Sequence, residues 1–230
     1  MTTFNEPARL ASLHAAQGRA AALFAAIEAG GLVRAGLRES ELSNEIHALA
    51  AEQFGVEAHW HKRVVRAGAN SVTTYPDDPA DLVIAADDIL FVDLGPVFHD
   101  WEADFGRTFV LGDDPVKQAL RRDLPLAWQE LRAFYETHPD MTGAALYAEA
   151  HRAAERRGWK FGGGIAGHLV GEFPHTAFPG ERSVSLVAPG NDTRMRDRDA
   201  DGRERYWILE VHLVEPQGRF GGFTEELLSR

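Results

Sequence analysis

The chain has 230 residues, no cysteine, and a formal net charge of -11 from 24 basic and 35 acidic side chains. That balance argues against a nucleic-acid or anionic-membrane partner, because both are held by Lys/Arg clusters, and the missing thiols exclude disulfides, thiolate zinc sites and a Cys nucleophile. No apolar run reaches the length of a membrane span, and Met1 to Glu6 carry no secretory signal, so a cytoplasmic protein with one sizeable core, or two small halves sharing one, is expected.

The first third reads as two helices. Ala, Leu and Phe recur on a helical period over 9–29, and Gly30-Gly31 ends the pattern. A second helix is expected over 40–54, with Ser40 as N-cap, Leu42, Ile46 and Leu49 as its apolar stripe and Gly55 as its stop. Strands follow at 61–67, at 88–94 (ended by Gly95-Pro96) and at 107–111, the last two separated by a turn containing His99 and Asp100. Helices are then expected over 115–135 and 142–157. The last third reads as strands and loops, with an exposed polar loop or hairpin tip at 191–205, where Asp and Arg alternate.

The helix ending at Gly55 and the one ending at Gly158 are faintly alike, and each precedes a strand-rich stretch. A real repeat implies two similar αβ halves around a shared sheet with a cleft between them; chance similarity of two amphipathic helices is the alternative. No linker separates the halves, so residues 1–230 are expected to form a single domain with no separate N-terminal domain.

Several acids stand where a bland strand would carry none. Asp93 ends the apolar run Ile89-Leu90-Phe91-Val92, where a lone carboxylate is costly unless something positive meets it. Asp104 precedes Arg107-Thr108-Phe109-Val110-Leu111, and a hairpin would bring it to Asp93. His168 closes the Gly-dense stretch Gly162-Gly163-Gly164-Ile165-Ala166-Gly167. Glu210 follows Tyr206-Trp207-Ile208-Leu209, and Glu225-Glu226 follow Gly221-Gly222-Phe223-Thr224. Four carboxylates and one imidazole suit Mn, Co or Fe(II), with Zn also possible. Two such cations about 3.5–4 Å apart can activate water and polarise a carbonyl together.

In this order the residues resemble the M24 metallopeptidase family, which includes methionine aminopeptidase, aminopeptidase P, prolidase and creatinase. Val92-Asp93-Leu94-Gly95 with Asp104-Phe105-Gly106-Arg107-Thr108-Phe109 resembles the family's first two ligand segments. Gly167-His168 with His175 seven residues later resembles its ligand His and substrate-contacting His. Leu209-Glu210 and Gly221-Gly222-Phe223-Thr224-Glu225-Glu226 resemble its last two ligand segments. The resemblance implies an α+β pita-bread fold, two pseudo-symmetric αβ halves around a curved antiparallel sheet. It implies two divalent metal ions (Mn, Co, Fe or Zn) held by Asp93, Asp104, His168, Glu210 and Glu225, with Glu210 also a proton shuttle and His175 steadying the substrate. The implied function is exopeptidase action on short peptides, Xaa-Pro type favoured over Met-specific, and a homodimer is compatible with it. Hydrolysis or lysis of a small non-peptide substrate is the alternative; a non-catalytic binding protein fits the intact ligand set poorly.

The pattern departs from the family in three places. Tyr75 stands near where a further His is expected, and a phenol there would contact substrate as a hydrogen-bonding group. Val211, followed by His212, replaces the usual Pro. The region from Pro189 to Arg205 is long and polar. Glu225 is favoured over Glu226 as ligand, because in a strand Glu226 points to the other face. His59 and His61 are read as solvated or hydrogen-bonded imidazoles at a strand start, with His61 lining the pocket as the lesser alternative. His99 and His212 are left unassigned, Arg107 either pairs with a ligand carboxylate or ties its strand down, and Trp101 and Trp207 are core or cleft wall. The three glycines lack the Lys-Ser/Thr of a phosphate loop and fit close backbone approach instead.

Overall fold

The computed structural model describes residues 5–174 and 184–229. The two leading helices form where the apolar period puts them, as α1 (Glu6–Ala29) and α2 (Glu39–Phe54). Asn5 caps α1 by accepting from the Ala8 N–H, and Pro7 sits in the first turn, where its missing N–H costs nothing. Leu13, Leu23 and Ile27 on its inner face are fully buried, worth about 1.5–3 kcal/mol each.

α2 starts before the expected cap. Arg38 holds the N-cap position, its N–H bonded by Glu41, and Ser40 lies inside the helix with its hydroxyl donating to Asp81. A tertiary contact sets this start. The buried Glu39 carboxylate accepts from the Ala67 N–H at 2.6 Å, from Asn70 Nδ2 at 2.8 Å and from the Leu82 N–H at 3.2 Å, so the first turn docks on the following segment.

Among the described residues, the seven strands of the main sheet all pair antiparallel. β1 (Val64–Ala67), β2 (Ile89–Leu94) and β5 (Phe105–Val110) form one half. β9 (Gly221–Leu227), β8 (Tyr206–Val214) and β6 (Lys160–Phe161) complete the order, with β7 (Gly167–Val170) also paired to β8. Between β2 and β5 the chain makes a two-stranded excursion, β3 (Val97–Phe98) and β4 (Trp101–Glu102). Its turn holds His99 and Asp100 at φ 50° and 68°. Strands this short carry no readable alternation, so the sequence showed only the turn.

Helices α3 (Pro115–Thr137) and α4 (Gly143–Glu155) cover the second half. The apolar core divides accordingly. Leu23, Ile27, Leu42 and Ile46 pack with Leu90, Val92 and Leu94 in one cluster, and Leu120, Leu131 and Leu146 pack with Trp207, Leu209 and Leu213 in the other. Trp207 is core; Trp101 is half-buried beside α1. The polar stretch at 191–205 is exposed over most of its length but is pinned at several points, Asn191 and Met195 among them. Asn191 Nδ2 donates to the Leu186 carbonyl at 2.7 Å, and Trp207 Nε1 donates to the Met195 carbonyl at 2.8 Å.

The halves meet between β5 and β9, where Gly106↔Glu225 is the single register pair among the described residues. Side chains extend that seam. The Thr108 hydroxyl donates to the Phe223 carbonyl and accepts from the Phe223 N–H, both at 2.7 Å. Arg107 ties its strand down rather than pairing with a site carboxylate: it donates to Thr224 Oγ1, to the Glu225 carbonyl and to Glu226 Oε1.

Gly167 fixes how β7 enters. Its φ is +145°, and a Cβ there would run into the Ile208 carbonyl oxygen and stand 3.3 Å from Leu209 Cα. The close approach lets the Glu210 N–H donate to the Ala166 carbonyl at 3.1 Å. Gly162 likewise packs against β8, where a Cβ would meet Val214 at 2.5 Å. Gly167→Ala is expected to lower stability by about 1–3 kcal/mol through backbone strain and overpacking. Gly164→Ala, at an exposed position with nothing within 4 Å, should stay within about 0.5 kcal/mol. Urea unfolding of the two variants makes the comparison.

Candidate metal centre

One row of register pairs crosses the sheet: Asp93↔Gly106, Gly106↔Glu225, Glu225↔Glu210. Residues opposite one another on neighbouring strands point to the same face, so Asp93, Glu225 and Glu210 project together. Gly106 keeps the middle of the row open; a Cβ there would stand 2.7 Å from the Phe223 ring and 3.2 Å from Glu225 Cβ. Asp104, just before β5, joins them. Asp104 and Glu225 are 2% exposed and Asp93 7%. Glu226, one residue on, faces the other way and pairs with Arg107 at 3.1 Å.

Two imidazoles meet this row. His168 Nε2 lies 3.0 Å from Asp104 Oδ2, 3.5 Å from Glu225 Oε1 and 3.8 Å from Glu210 Oε1. His61 Nε2 lies 3.1 Å from Asp104 Oδ1 and 3.6 Å from Asp93 Oδ1. The preferred sequence reading, which left His61 as an ordinary strand-start imidazole, is corrected: its side chain is 7% exposed and lines the site. The chain bends between His61 and β1, and Trp60 roofs the site, its ring 4.5 Å from that of His61 and 5.2 Å from that of His168. Trp60 Nε1 donates to the Ala103 carbonyl at 3.0 Å. His61 and Trp60 were detectable only as polar and aromatic residues flanking a strand start, a signal shared with many bland turns.

The other candidates divide. Tyr75 is 49% exposed at the rim, its ring 5.8 Å from that of His61 and under the Lys62 ammonium at 4.7 Å. His175 lies outside the described residues. His59 is turned away beside His47, and burial pulls it down to about 4. His212 is buried, with its Nε2 2.8 Å from the Ser71 carbonyl; burial lowers it as well. His99 is in the β3–β4 turn.

The electrostatics are those of acids crowded out of water. Burial pushes Asp93 up to about 7 and Glu210 up to about 8. Burial, with the Asp104 and Glu210 charges added, holds Glu225 well above the usual carboxylate range. For Asp104 burial is outweighed by His61 and His168, which hold it low. Burial also opposes charge on the imidazoles. The surrounding carboxylates overcome it, taking His61 up to about 10 and His168 to about 9.

The group fits divalent cations. Asp93 Oδ1 is buried and accepts no hydrogen bond, so one acceptor aimed into the site lacks a donor. His61, Asp93 and Asp104 offer donor atoms within 4.8 Å of one another, and so do Asp104, His168 and Glu225. Oxygen-rich donors with imidazole suit Mn, Fe, Co or Zn.

The family model for Metallopeptidase family M24 matches residues 11–199. The chain belongs to that family. Solved structures place its fold. A prolidase from Thermococcus sibiricus is 19% identical, with a TM-score of 0.73, covering 97% of this chain and 59% of its own. An X-Pro aminopeptidase from Thermotoga maritima is 18% identical, with a TM-score of 0.74, covering 98% and 62%. A methionine aminopeptidase from Rickettsia prowazekii is 14% identical, with a TM-score of 0.71, covering 99% and 95%. The M24 chain thus spans less than two thirds of the prolidase and the X-Pro aminopeptidase, and it has the α+β pita-bread fold. A search of curated proteins gives no match.

Any cation entering this M24 site must displace protons. With His61, His168 and Glu210 at about 10, 9 and 8, all three hold protons at pH 7. Mn(II) affinity should therefore rise from pH 6 to pH 9, with proton release largest at the acid end. Calorimetry in buffers of different ionisation enthalpy measures both; pH-independent affinity without proton release would contradict the protonation pattern.

Proposed function

We propose that this chain is a dinuclear-metal-dependent exopeptidase of short peptides, with Xaa-Pro bonds preferred over an N-terminal Met. The observation that carries the reading is the convergence of Asp93, Asp104, His168, Glu210 and Glu225 on one buried point. Membership of the M24 family supports it. The preference draws on structural neighbours described as prolidases and as an X-Pro aminopeptidase.

In this reading those five residues would hold two divalent ions, Mn, Co, Fe or Zn. The ions supply Lewis acidity to the scissile carbonyl and lower the pKa of attacking water. Glu210 moves the proton. Its carboxylate lies 3.8 Å from His168, in an environment where burial already favours the protonated form, so it takes a proton from water and returns it to the leaving amine. The Trp60 ring and the apolar flanks of β2 and β8 keep bulk water away from that exchange. Tyr75, half-exposed at the rim, meets substrate with its phenol, and His175 steadies the substrate carbonyl.

A second reading, hydrolysis or lysis of a small non-peptide substrate, is favoured by Tyr75 standing where the resemblance expects a His. Metal stripping, reloading with Mn, Co or Zn, and a parallel panel of Xaa-Pro dipeptides, Xaa-Pro-Yaa tripeptides and Met-Xaa peptides separates the two. Turnover is expected on the Xaa-Pro substrates. Two bound ions with no turnover on any peptide would remove the peptidase reading and leave the second. Glu210→Gln should lower kcat by about 10²–10⁴-fold while the circular dichroism spectrum is unchanged. A variant with near wild-type kcat would take the proton role away from Glu210.

A further inference from the structure

Asp104 is gripped symmetrically. His61 Nε2 is 3.1 Å from its Oδ1, and His168 Nε2 is 3.0 Å from its Oδ2. Each ring is braced from behind in the same way, Nδ1 against the carbonyl of the next residue, Lys62 at 2.7 Å and Leu169 at 2.8 Å. A carbonyl only accepts, so each Nδ1 carries a proton and each Nε2 is presented to the carboxylates. His168 comes from the half containing β8 and β9, and His61 from the half containing β1 and β2.

The seat of His61 is built. Gly95, two residues beyond Asp93, lies against its ring; a Cβ there would stand 2.5 Å from His61 Nε2 and 2.5 Å from Trp60 Nε1. The Trp60 N–H donates to the Gly95 carbonyl at 2.9 Å, which locks the bend that carries His61 inward. In front of the ring lies Asp93 Oδ1, the buried acceptor without a hydrogen bond, 3.6 Å from Nε2. That distance is too long for a hydrogen bond but suits two donors of one cation. Donors about 2.1 Å from a shared ion stand about 3.0 Å apart at a right angle and about 3.4 Å apart at the tetrahedral angle.

The geometry points to His61 as a sixth ligand, binding through Nε2 the ion held by Asp93 and Asp104, so that each of the two ions carries one imidazole. This rests on the dinuclear reading above. It makes the Asp93 side of the centre a nitrogen-containing site, better suited to Co, Fe(II) or Zn than carboxylates alone would be.

Proton NMR of the Co(II)-loaded protein tests it, because an imidazole bound through Nε2 keeps its Nδ1–H, which appears as a strongly shifted resonance that exchanges in D2O. Wild type loaded with two Co(II) ions should show two such resonances. His61→Ala should lose one and His168→Ala the other. The second Co(II) should also bind His61→Ala at least about tenfold more weakly by equilibrium dialysis, the low end of the loss that follows even from removing a partner of a ligand. Two resonances that both persist in His61→Ala would assign the second to another imidazole and overturn the ligand role. Two ions with one resonance in wild type, a count that needs no variant to fold, would also overturn the ligand role while leaving the dinuclear reading standing. Failure of wild type to take up a second Co(II) would instead remove the dinuclear reading, and this proposal with it.

Discussion

Carboxylates buried side by side repel one another, and out of water there is little to screen them. Asp93, Asp104, Glu210 and Glu225 are held in that situation by the sheet. Their strands are apolar for residues on either side, Ile89-Leu90-Phe91-Val92 before Asp93 and Tyr206-Trp207-Ile208-Leu209 before Glu210, so the acids cannot turn outward without exposing the core. The answer to the repulsion is positive charge supplied from the flanks. His61 and His168 hold Asp104 ionised, while Asp93, Glu210 and Glu225 are shifted toward their protonated forms. A bound cation would replace those protons on a scaffold already in place, because register and not side-chain flexibility brings the acids together.

Much of this was legible in the sequence because an acid inside an apolar strand is an anomaly that periodicity exposes. Asp93, Glu210 and Glu225 stand out for that reason, and the period of two separates Glu225 from Glu226. The long helices were equally readable from their apolar stripes. What escaped depended on contacts distant in the chain. The start of α2 is set by Glu39 reaching Ala67, Asn70 and Leu82, not by a local cap at Ser40. His61 lies before the regular part of β1, so alternation says nothing about where it points. Its direction comes from Trp60 and the bare Gly95 backbone, which no local pattern connects to it.

The two halves contribute unequally to the walls of the site. Trp60, from the first half, packs against His61 of its own half and His168 of the other, giving the two imidazoles a common apolar cover. Beyond Glu210 on the same face, His212 packs with Phe91 and Phe223 and ties β8 to the turn at Gly68–Val72 through the Ser71 carbonyl. An imidazole so placed has a structural task, which fits the downward pull of burial on it. Similar residue types thus serve different ends according to whether carboxylates or aromatic rings surround them.

Thr108 carries a consequence of another kind. Its hydroxyl stands in for a rung of backbone ladder between β5, which Asp104 immediately precedes, and β9, which carries Glu225 from the other half. The gap spanned by the centre is therefore gauged by an uncharged side chain that touches none of the acids. Removing that hydroxyl leaves every donor atom in the sequence intact yet takes two bonds from the seam that Arg107 and the Gly106↔Glu225 pair also hold, so the chain keeps its span partly through a hidden spacer.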